Sequence, residues 1–432
     1  MSARRWMIPL CLVSALWAFS FGVSAALASI WMQEAGCGDA LIGLNTGTYY
    51  LGIVLAATAV PWLMRRLGPL ALLLGLIASG ATAAAFPWAT SPAGWFVLRA
   101  LNGVASALSL IPLETCVNRK SSAQRRAQNF GCYAFCIALG MALGNLVALQ
   151  MAPSQPYLAF LFGGAAALVG AAIVPCCWSA FSADCEENST RAPLNLGRNF
   201  LAYGSGWSQG FLEGGMVALL PIYLLSVGLT HDAVGWLMAG LMIGVILAQA
   251  PMAWLADRLG RAAVLAGCNI VTLLGVGCLL WAGGVVWLAF WLLVIGACSG
   301  ALYPLGLAVL GERTAPADMS RAGARFLAIN SVGSLIGPVV AGAAMELFGR
   351  GALFVSGGGA IGLVLVVWIL SALKRRGAIG PGGILAPDAR FHTPAFGSTL
   401  HPGLYSGSPL TGFLENKAPG GGYSRNPGTQ RG

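Results

Sequence analysis

Residues 19–68, FSFGVSAALASIWMQEAGCGDALIGLNTGTYYLGIVLAATAVPWLMRRLG, and residues 211–260, FLEGGMVALLPIYLLSVGLTHDAVGWLMAGLMIGVILAQAPMAWLADRLG, lie in one ungapped frame 192 positions apart and agree at 15 of 50 positions. The frame pairs Phe19 with Phe211, Gly22 with Gly214, Gly36 with Gly228, Gly43 with Gly235 and Gly52 with Gly244. It closes with Trp62, Leu63, Arg66, Leu67 and Gly68 on Trp254, Leu255, Arg258, Leu259 and Gly260, and farther on Pro112 meets Pro304. Apolar composition alone matches Leu with Leu, but it does not hold these glycines and one charged ending in a single register. The chain reads as two copies of one unit.

The unit is a membrane unit. Of the 432 residues 57% are hydrophobic and 9% charged, against roughly 25% charged in an ordinary soluble domain, which excludes a soluble enzyme. Apolar runs bounded by Gly, Pro and charge predict spans near 6–31, 41–64, 69–90, 92–117, 127–152 and 155–178, and six more near 198–225, 232–256, 261–283, 285–310, 321–346 and 350–373. Each is long enough to cross ~30 Å of hydrocarbon. Transmembrane strands would alternate over about ten residues, and runs such as GLVLVVWIL do not. The first run is too long for a cleaved signal peptide and is expected to stay as a span. The fold class expected is all-α integral membrane, twelve helices in two six-helix bundles related by a pseudo-two-fold along the membrane normal, with a site between them near the midplane.

Charge sets the orientation. With the N-terminus cytoplasmic, 18 of the 24 Lys and Arg, among them Arg4, Arg65, Arg119, Arg258 and Lys374, fall on one face and Arg350 alone on the other. That asymmetry is what the positive-inside rule demands of a multi-pass protein of the inner membrane with both termini cytoplasmic. The polar stretch SAFSADCEENSTRAPLNLGR, 179–198, divides the body. The organisation expected is a bundle at 1–178, a cytoplasmic linker at 179–197, a second bundle at 198–376 and a tail at 377–432. The tail has 13 Gly and 7 Pro in 56 residues, a composition that predicts disorder.

Short motifs add a resemblance. Trp254, Leu255, Ala256, Asp257, Arg258, Leu259, Gly260 and Arg261 resemble the G-x-L-A-D-R-x-G-R loop of the major facilitator superfamily, and Arg99 to Gly103 resemble its R-x-x-x-G pattern. Glu114-Thr115-Cys116-Val117-Asn118 with Arg126 and Tyr133, Leu220-Pro221-Ile222-Tyr223, and Leu302-Tyr303-Pro304 resemble the YcaD-like bacterial branch, with Cys116 in place of its usual Trp. The resemblance covers about residues 6–373 and implies the twelve-span fold and alternating-access transport; the branch implies no substrate.

Ionisable residues inside spans are costly, so each needs a reason. Glu213, near the middle of the seventh span, bears a charge that costs at least ~2.5 kcal/mol there and needs a partner, water or a proton. It reads as a proton-coupling or substrate-cation site, or as a structural hydrogen bond. Arg99 orients an anion, pairs with Glu213, or snorkels outward. Counted from the outer span ends, Arg99 is ~10 Å and Glu213 ~18 Å deep, so an ion pair between them is expected in one conformational state. In the 192 frame Phe21 stands opposite Glu213 and Trp291 opposite Arg99, so each charge belongs to one half only. Asn102, Tyr133, Gln209, Tyr303 and Asn330 are candidate lining of the pathway. By resemblance Asp257, Arg258, Arg261 and Glu312, with Arg321 and Arg325 opening the eleventh span, form a charge latch at the cytoplasmic edge that holds the outward-open state, the alternative being surface charges that only set topology. Arg65 replaces the acid in the first half, which leaves Glu114 as the acid near Arg66.

The sequence holds no G-x-x-x-x-G-K-[ST] loop for an ATP-driven pump, no polar cluster for an enzyme, and no cofactor or metal motif, since His231 alone lies in the body. Basic residues are spread in pairs and give no nucleic-acid patch. The expectation is a monomeric secondary transporter, not an enzyme, with the lipid bilayer, a small-molecule substrate and a proton as its partners. The alternative is a transporter-derived sensor or scaffold acting through the tail.

Overall fold

The computed structural model describes residues 6–122, 125–182, 197, 199–281, 284–314 and 319–377, with backbone alone at 126, 127, 319–321 and 375–377. Twelve helices among them are long and apolar enough to cross a membrane. Spans 1 to 6 are Met7–Glu34, Asp39–Ala57, Pro69–Trp88, Pro92–Lys120, Gln128–Met151 and Pro156–Cys176. Spans 7 to 12 are Phe200–Ser226, His231–Leu259, Arg261–Cys278, Val285–Arg313, Ala322–Phe348 and Ala352–Lys374. The tail, most of the linker, and the side chains of Arg126 and Arg321 lie outside the described residues.

Local chemistry starts and breaks these helices. Ser91 and Thr230 accept from the backbone N–H of Gly94 and Ala233, satisfying donors that a helix start leaves free. Pro69, Pro92 and Pro156 sit at the first helical position, where a missing N–H costs nothing. Span 2 was expected to run on to about residue 64, but it stops at Ala57 and a separate helix, Val60–Leu67, follows. Pro61 lacks the donor that would continue the ladder. The corresponding residue of span 8 is Ala253, and that helix runs to Leu259 with Pro251 inside it.

The repeat is visible as geometry. Gly36 and Gly228 both turn at positive φ, 82° and 86°, as do Gly68 and Gly260 at 56° and 90°. Arg66 lies over the Trp62 ring at 4.6 Å and Arg258 over Trp254 at 4.1 Å. Close helix contacts also recur, but with a slip. Gly140 and Gly144 of span 5 press on the carbonyls of Ala15 and Phe19, and Gly333 and Gly337 of span 11 on those of Trp207 and Phe211. Likewise Gly103 meets the Tyr49 carbonyl and Gly296 that of Leu241. Spans 1 and 2 keep the 192 spacing, whereas spans 4 and 5 map onto spans 10 and 11 with a spacing of 193. The start points agree: Pro69 to Arg261 is 192, Pro92 to Val285 is 193. One residue has entered the connection before span 10. The expected pairings of Pro112 with Pro304 and of Arg99 with Trp291 are therefore displaced, and Leu292 takes the place opposite Arg99.

Two symmetric crossings join the six-span bundles, span 2 with span 11 and span 5 with span 8. Both lie toward the end of the bundle opposite the N-terminus, here the far end. Gly43 faces Pro338 and Gly342, Gly47 faces Val339, and Gly235 faces Leu146 and Leu149; a glycine at these positions lets the two backbones approach closely. Toward the near end span 2 turns to its own half, with Gly52 against Ala100 and Gly103, and span 8 does the same, with Gly244 against Leu293 and Ala297.

Candidate functional site

Span 7 carries a polar ladder through its middle. Gly206 and Gly210 remove the side chains that would hold span 11 away, and Gly210 lies against the Asn330 carbonyl. Asn330 Nδ2 then donates to the Gly206 carbonyl at 2.8 Å and to Gln209 Oε1 at 2.6 Å. Gln209 Nε2 in turn donates to Glu213 Oε2 at 2.6 Å. The i,i+4 spacing places Gln209 and Glu213 on one helix face. Glu213 is exposed, yet it acts electrostatically on Tyr49 and Tyr50 of span 2 and on Tyr303 of span 10. Spans 2 and 10 thus lie within electrostatic reach of its exposed carboxylate.

Arg99 does not snorkel. It is 3% exposed, donates through Nε to Asn45 Oδ1 at 3.2 Å, and lies 5.4 Å over the Tyr49 ring, a cation–π contact. Tyr49 stacks on Phe21 at 5.2 Å and meets Tyr50 edge-on at 5.1 Å. The charges of Arg99 and Glu213 both act on Tyr49 and Tyr50. The ion pair expected in one conformational state is not formed in this one, where Arg99 engages Asn45 and Tyr49 and Glu213 engages Gln209. Both charges act on the span 2 tyrosines, and Asn45 and Gln209 engage them from their own halves.

The other lining candidates divide. Tyr303 faces both Glu213 and Glu114 electrostatically and packs edge-on against Phe326 at 5.1 Å. Tyr133 is buried near Glu114 and Tyr303. Asn102 donates to Thr82 Oγ1 at 2.8 Å and to the Ser79 carbonyl, which ties span 4 to span 3, and with Trp17, Phe21 and Ser106 it lines a small pocket of the first half. Glu114 was expected near Arg66. It instead acts electrostatically on Tyr133 and Tyr303, while Arg66 rests on Trp62. No group of three or more His, Cys, Asp or Glu among the described residues is placed to hold a metal ion.

The two ends differ. At the near end Arg261 Nε meets Glu312 Oε1 at 3.3 Å and Arg261 Nη2 meets Asp257 Oδ1 at 4.0 Å, all within the second half, and Arg258 lies over Trp254. At the far end the bonds cross between halves. Arg350 donates to Asp39 Oδ2 at 3.3 Å, and Gln33, with its amide oxygen toward the guanidinium, accepts from Arg350 at 2.8 Å. Glu346 Oε2 accepts from the Ala40 N–H at 2.8 Å, and Gln150 donates to Asp232 Oδ1 at 3.0 Å. This far-end set escaped the sequence reading, although Arg350, the one basic residue of its face, was its signal.

Two six-span bundles of one topology, joined at one end and lined with unlike polar groups along the seam, are the architecture of a membrane transporter. The model of the Major Facilitator Superfamily matches residues 10–195 and 202–408, and the chain belongs to that family. It is 29% identical over 369 residues to the uncharacterized MFS-type transporter YfkF of Bacillus subtilis (strain 168), covering 82% of this chain and 92% of that one. It is 24% identical over 386 residues to the uncharacterized MFS-type transporter YcaD of Salmonella heidelberg (strain SL476), covering 87% and 96%. Among solved structures it resembles the nucleoside transporter NupG, with a TM-score of 0.69 at 14% identity over 85% of this chain and 99% of that one. It also resembles a bacterial homolog of the human lysosomal transporter Spinster in an inward-facing and occupied conformation, with a TM-score of 0.67 at 14% identity over 86% and 96%. The two structures bear on the fold alone. All four are transporters by name, and the reading as a non-transporting sensor draws no support from them.

Proposed function

We propose that the protein is a secondary active transporter of the inner membrane that carries a small organic solute by alternating access, coupled to protons through Glu213. The observation that carries the reading is a carboxylate at mid-span that is exposed while its neighbours along the helix are buried. A charge there is costly, one of its oxygens is held by Gln209, and the structure gives Oε1 no partner among the described residues. Such a group can gain and lose a proton as the cavity changes sides. With the basic face cytoplasmic, the termini lie inside, the far end is the outer face, and the conformation is closed outside. The bonds among Gln33, Asp39 and Arg350 and between Ala40 and Glu346 form its outer gate. Asp257, Arg258, Arg261 and Glu312 form the cytoplasmic charge latch. The protein works as a monomer.

The test uses the full chain in proteoliposomes. A thermal-shift screen against metabolites and drugs selects the solute, and its accumulation is measured under an imposed pH gradient. Glu213→Gln is expected to abolish uphill accumulation while leaving solute exchange largely intact. Uphill accumulation by that variant overturns proton coupling through Glu213.

A further inference from the structure

Arg99 is the one buried Lys or Arg among the described residues, 3% exposed, and its hydrogen bonding is incomplete. Nε donates to Asn45 Oδ1 at 3.2 Å, and the Tyr49 ring lies 5.4 Å away, but among the described residues no acceptor meets Nη1 or Nη2. One hydrogen bond and one ring face do not offset what a guanidinium loses on leaving water. The Asn45 amide, on a residue 1% exposed, is also half spent: Oδ1 serves Arg99, and Nδ2 is buried without a partner. The face of span 4 that carries Arg99 continues into the small pocket of the first half. Asn102 and Ser106, three and seven residues farther on, share that face and line the pocket with Phe21 and Ser24 of span 1 and Ser79 of span 3. Phe21 stacks on Tyr49 at 5.2 Å, so the pocket and the guanidinium border one pair of rings. Ser79 Oγ, on a residue 3% exposed, is buried without a partner too.

We propose that Arg99 and Asn45 bind the carboxylate of a small organic monoanion, with the rest of the guest in the pocket bounded by Phe21, Ser79 and Ser106. The proposal rests on the reading of the protein as a transporter and names the substrate class. With Nε held by Asn45, Nη1 and Nη2 present an end-on fork whose spacing matches the two oxygens of a carboxylate, and Asn45 Nδ2 adds a donor on the neighbouring amide. One buried cation balances one negative charge, whereas a dianionic guest would leave a charge unpaired inside the span region. The acid that could claim the fork, Glu213, is held by Gln209 in this state, which leaves the fork to a guest. The unpartnered Ser79 hydroxyl offers a hydrogen bond to a polar substituent on the body of that guest.

The probes are lactate, pyruvate, benzoate and mandelate, each beside its neutral primary amide, and binding to full-length protein in lipid nanodiscs is followed by isothermal titration calorimetry. Saturable binding of at least one carboxylate is expected, at least about tenfold tighter than its amide, which corresponds to about 1.4 kcal/mol. Asn45→Asp, which hands the guanidinium a fixed carboxylate of its own, should abolish that binding, and so should Arg99→Gln. If Arg99→Gln does not yield monodisperse protein, Asn45→Asp and the comparison of carboxylate with amide decide. Absence of saturable carboxylate binding, equal binding of the amide, or unchanged affinity in Asn45→Asp overturns the proposal. Any of these results beside intact pH-driven accumulation of another solute removes the anion site alone. Carboxylate binding that meets every expectation, in a protein that moves no solute in proteoliposomes, removes the transport reading and leaves the site.

Discussion

Trp17 and Phe21 of span 1 stack their rings with centroids 5.8 Å apart; at the same two positions of span 7, Gln209 and Glu213 share a hydrogen bond of 2.6 Å. The backbone around both pairs is alike, since Gly140 and Gly333 meet the carbonyls of Ala15 and Trp207 in the same way. The polar side chains are not alike. Asn45 and Tyr49 correspond to Leu237 and Leu241, and Arg99 in the shifted frame to Leu292. The difference teaches where a duplicated bundle can change. A glycine whose missing Cβ would strike a neighbouring backbone has no freedom, because close-packed interiors do not absorb an extra methyl. Side chains along the seam are free of that constraint, so their chemistry diverges together with that of their partners in the same half, as Arg99 with Asn45 and Glu213 with Gln209.

The largest expected effect breaks the shared skeleton. Gly103→Val and Gly296→Val should each destabilise by about 1–3 kcal/mol or more in thermal unfolding of the purified protein. Gly267→Ala, where nothing lies within 4 Å of the added Cβ, should be close to neutral. Unequal effects at Gly103 and Gly296 would show that the 193 spacing does not relate equivalent contacts. Next, the unlike residues should behave unlike their counterparts: Glu213→Gln removes uphill accumulation, and Phe21→Leu leaves coupling in place. Equal loss in both would assign the position to packing and not to chemistry.

Smaller effects separate the ends. Asp39, 10% exposed, and Arg350, 36% exposed, pair at 3.3 Å between halves. Asp39→Asn or Arg350→Gln should cost about 1 kcal/mol of the outward-closed state, about a fivefold change in population. Cysteines introduced toward the outer ends of spans 2 and 11 should label faster in proportion; unchanged labelling would deny these residues a gating role. The smallest shift is expected at Asp257, whose side chain is 73% exposed and 4.0 Å from Arg261. Asp257→Asn should cost the outward-closed state, in which the pair is formed, a few tenths of a kcal/mol, and Glu312→Gln, at 3.3 Å, more. Labelling at the inner ends of spans 4 and 10 reads both, and the reverse order would sink the latch geometry.

The spans were legible because twenty apolar residues in a row admit few other fates, and the repeat because glycines and one Trp-Leu...Arg-Leu-Gly ending mark a frame. The slip to 193 was not, since the extra residue falls in a short connection that carries no marker. Gln209, Glu213 and Asn330 stood out as polar residues at one depth. Asn102 stood out equally and serves span 3, because a polar residue in a span announces a need for a partner and not the direction of that partner. Glu114 was misplaced for the same reason: its neighbours in sequence are near-end charges, while a few tens of degrees of helix rotation decide what it faces. The bonds between Asp39, Gln33 and Arg350 link residues more than 300 positions apart and follow only from the assembled bundle.

Asp39 follows a four-residue turn containing Gly36 at φ 82°, and Arg350 stands in a three-residue turn beside Gly349 at φ 88°. Connections so short have no slack. When the bundles part at the outer face, neither corner can stretch to keep hold of the other, so the guanidinium gives up Asp39 and Gln33 in the first ångström or two of travel. Partial openings then pay the full loss of the pair without gaining a passage, and the outer door has two positions, shut and open, with little resting place between them.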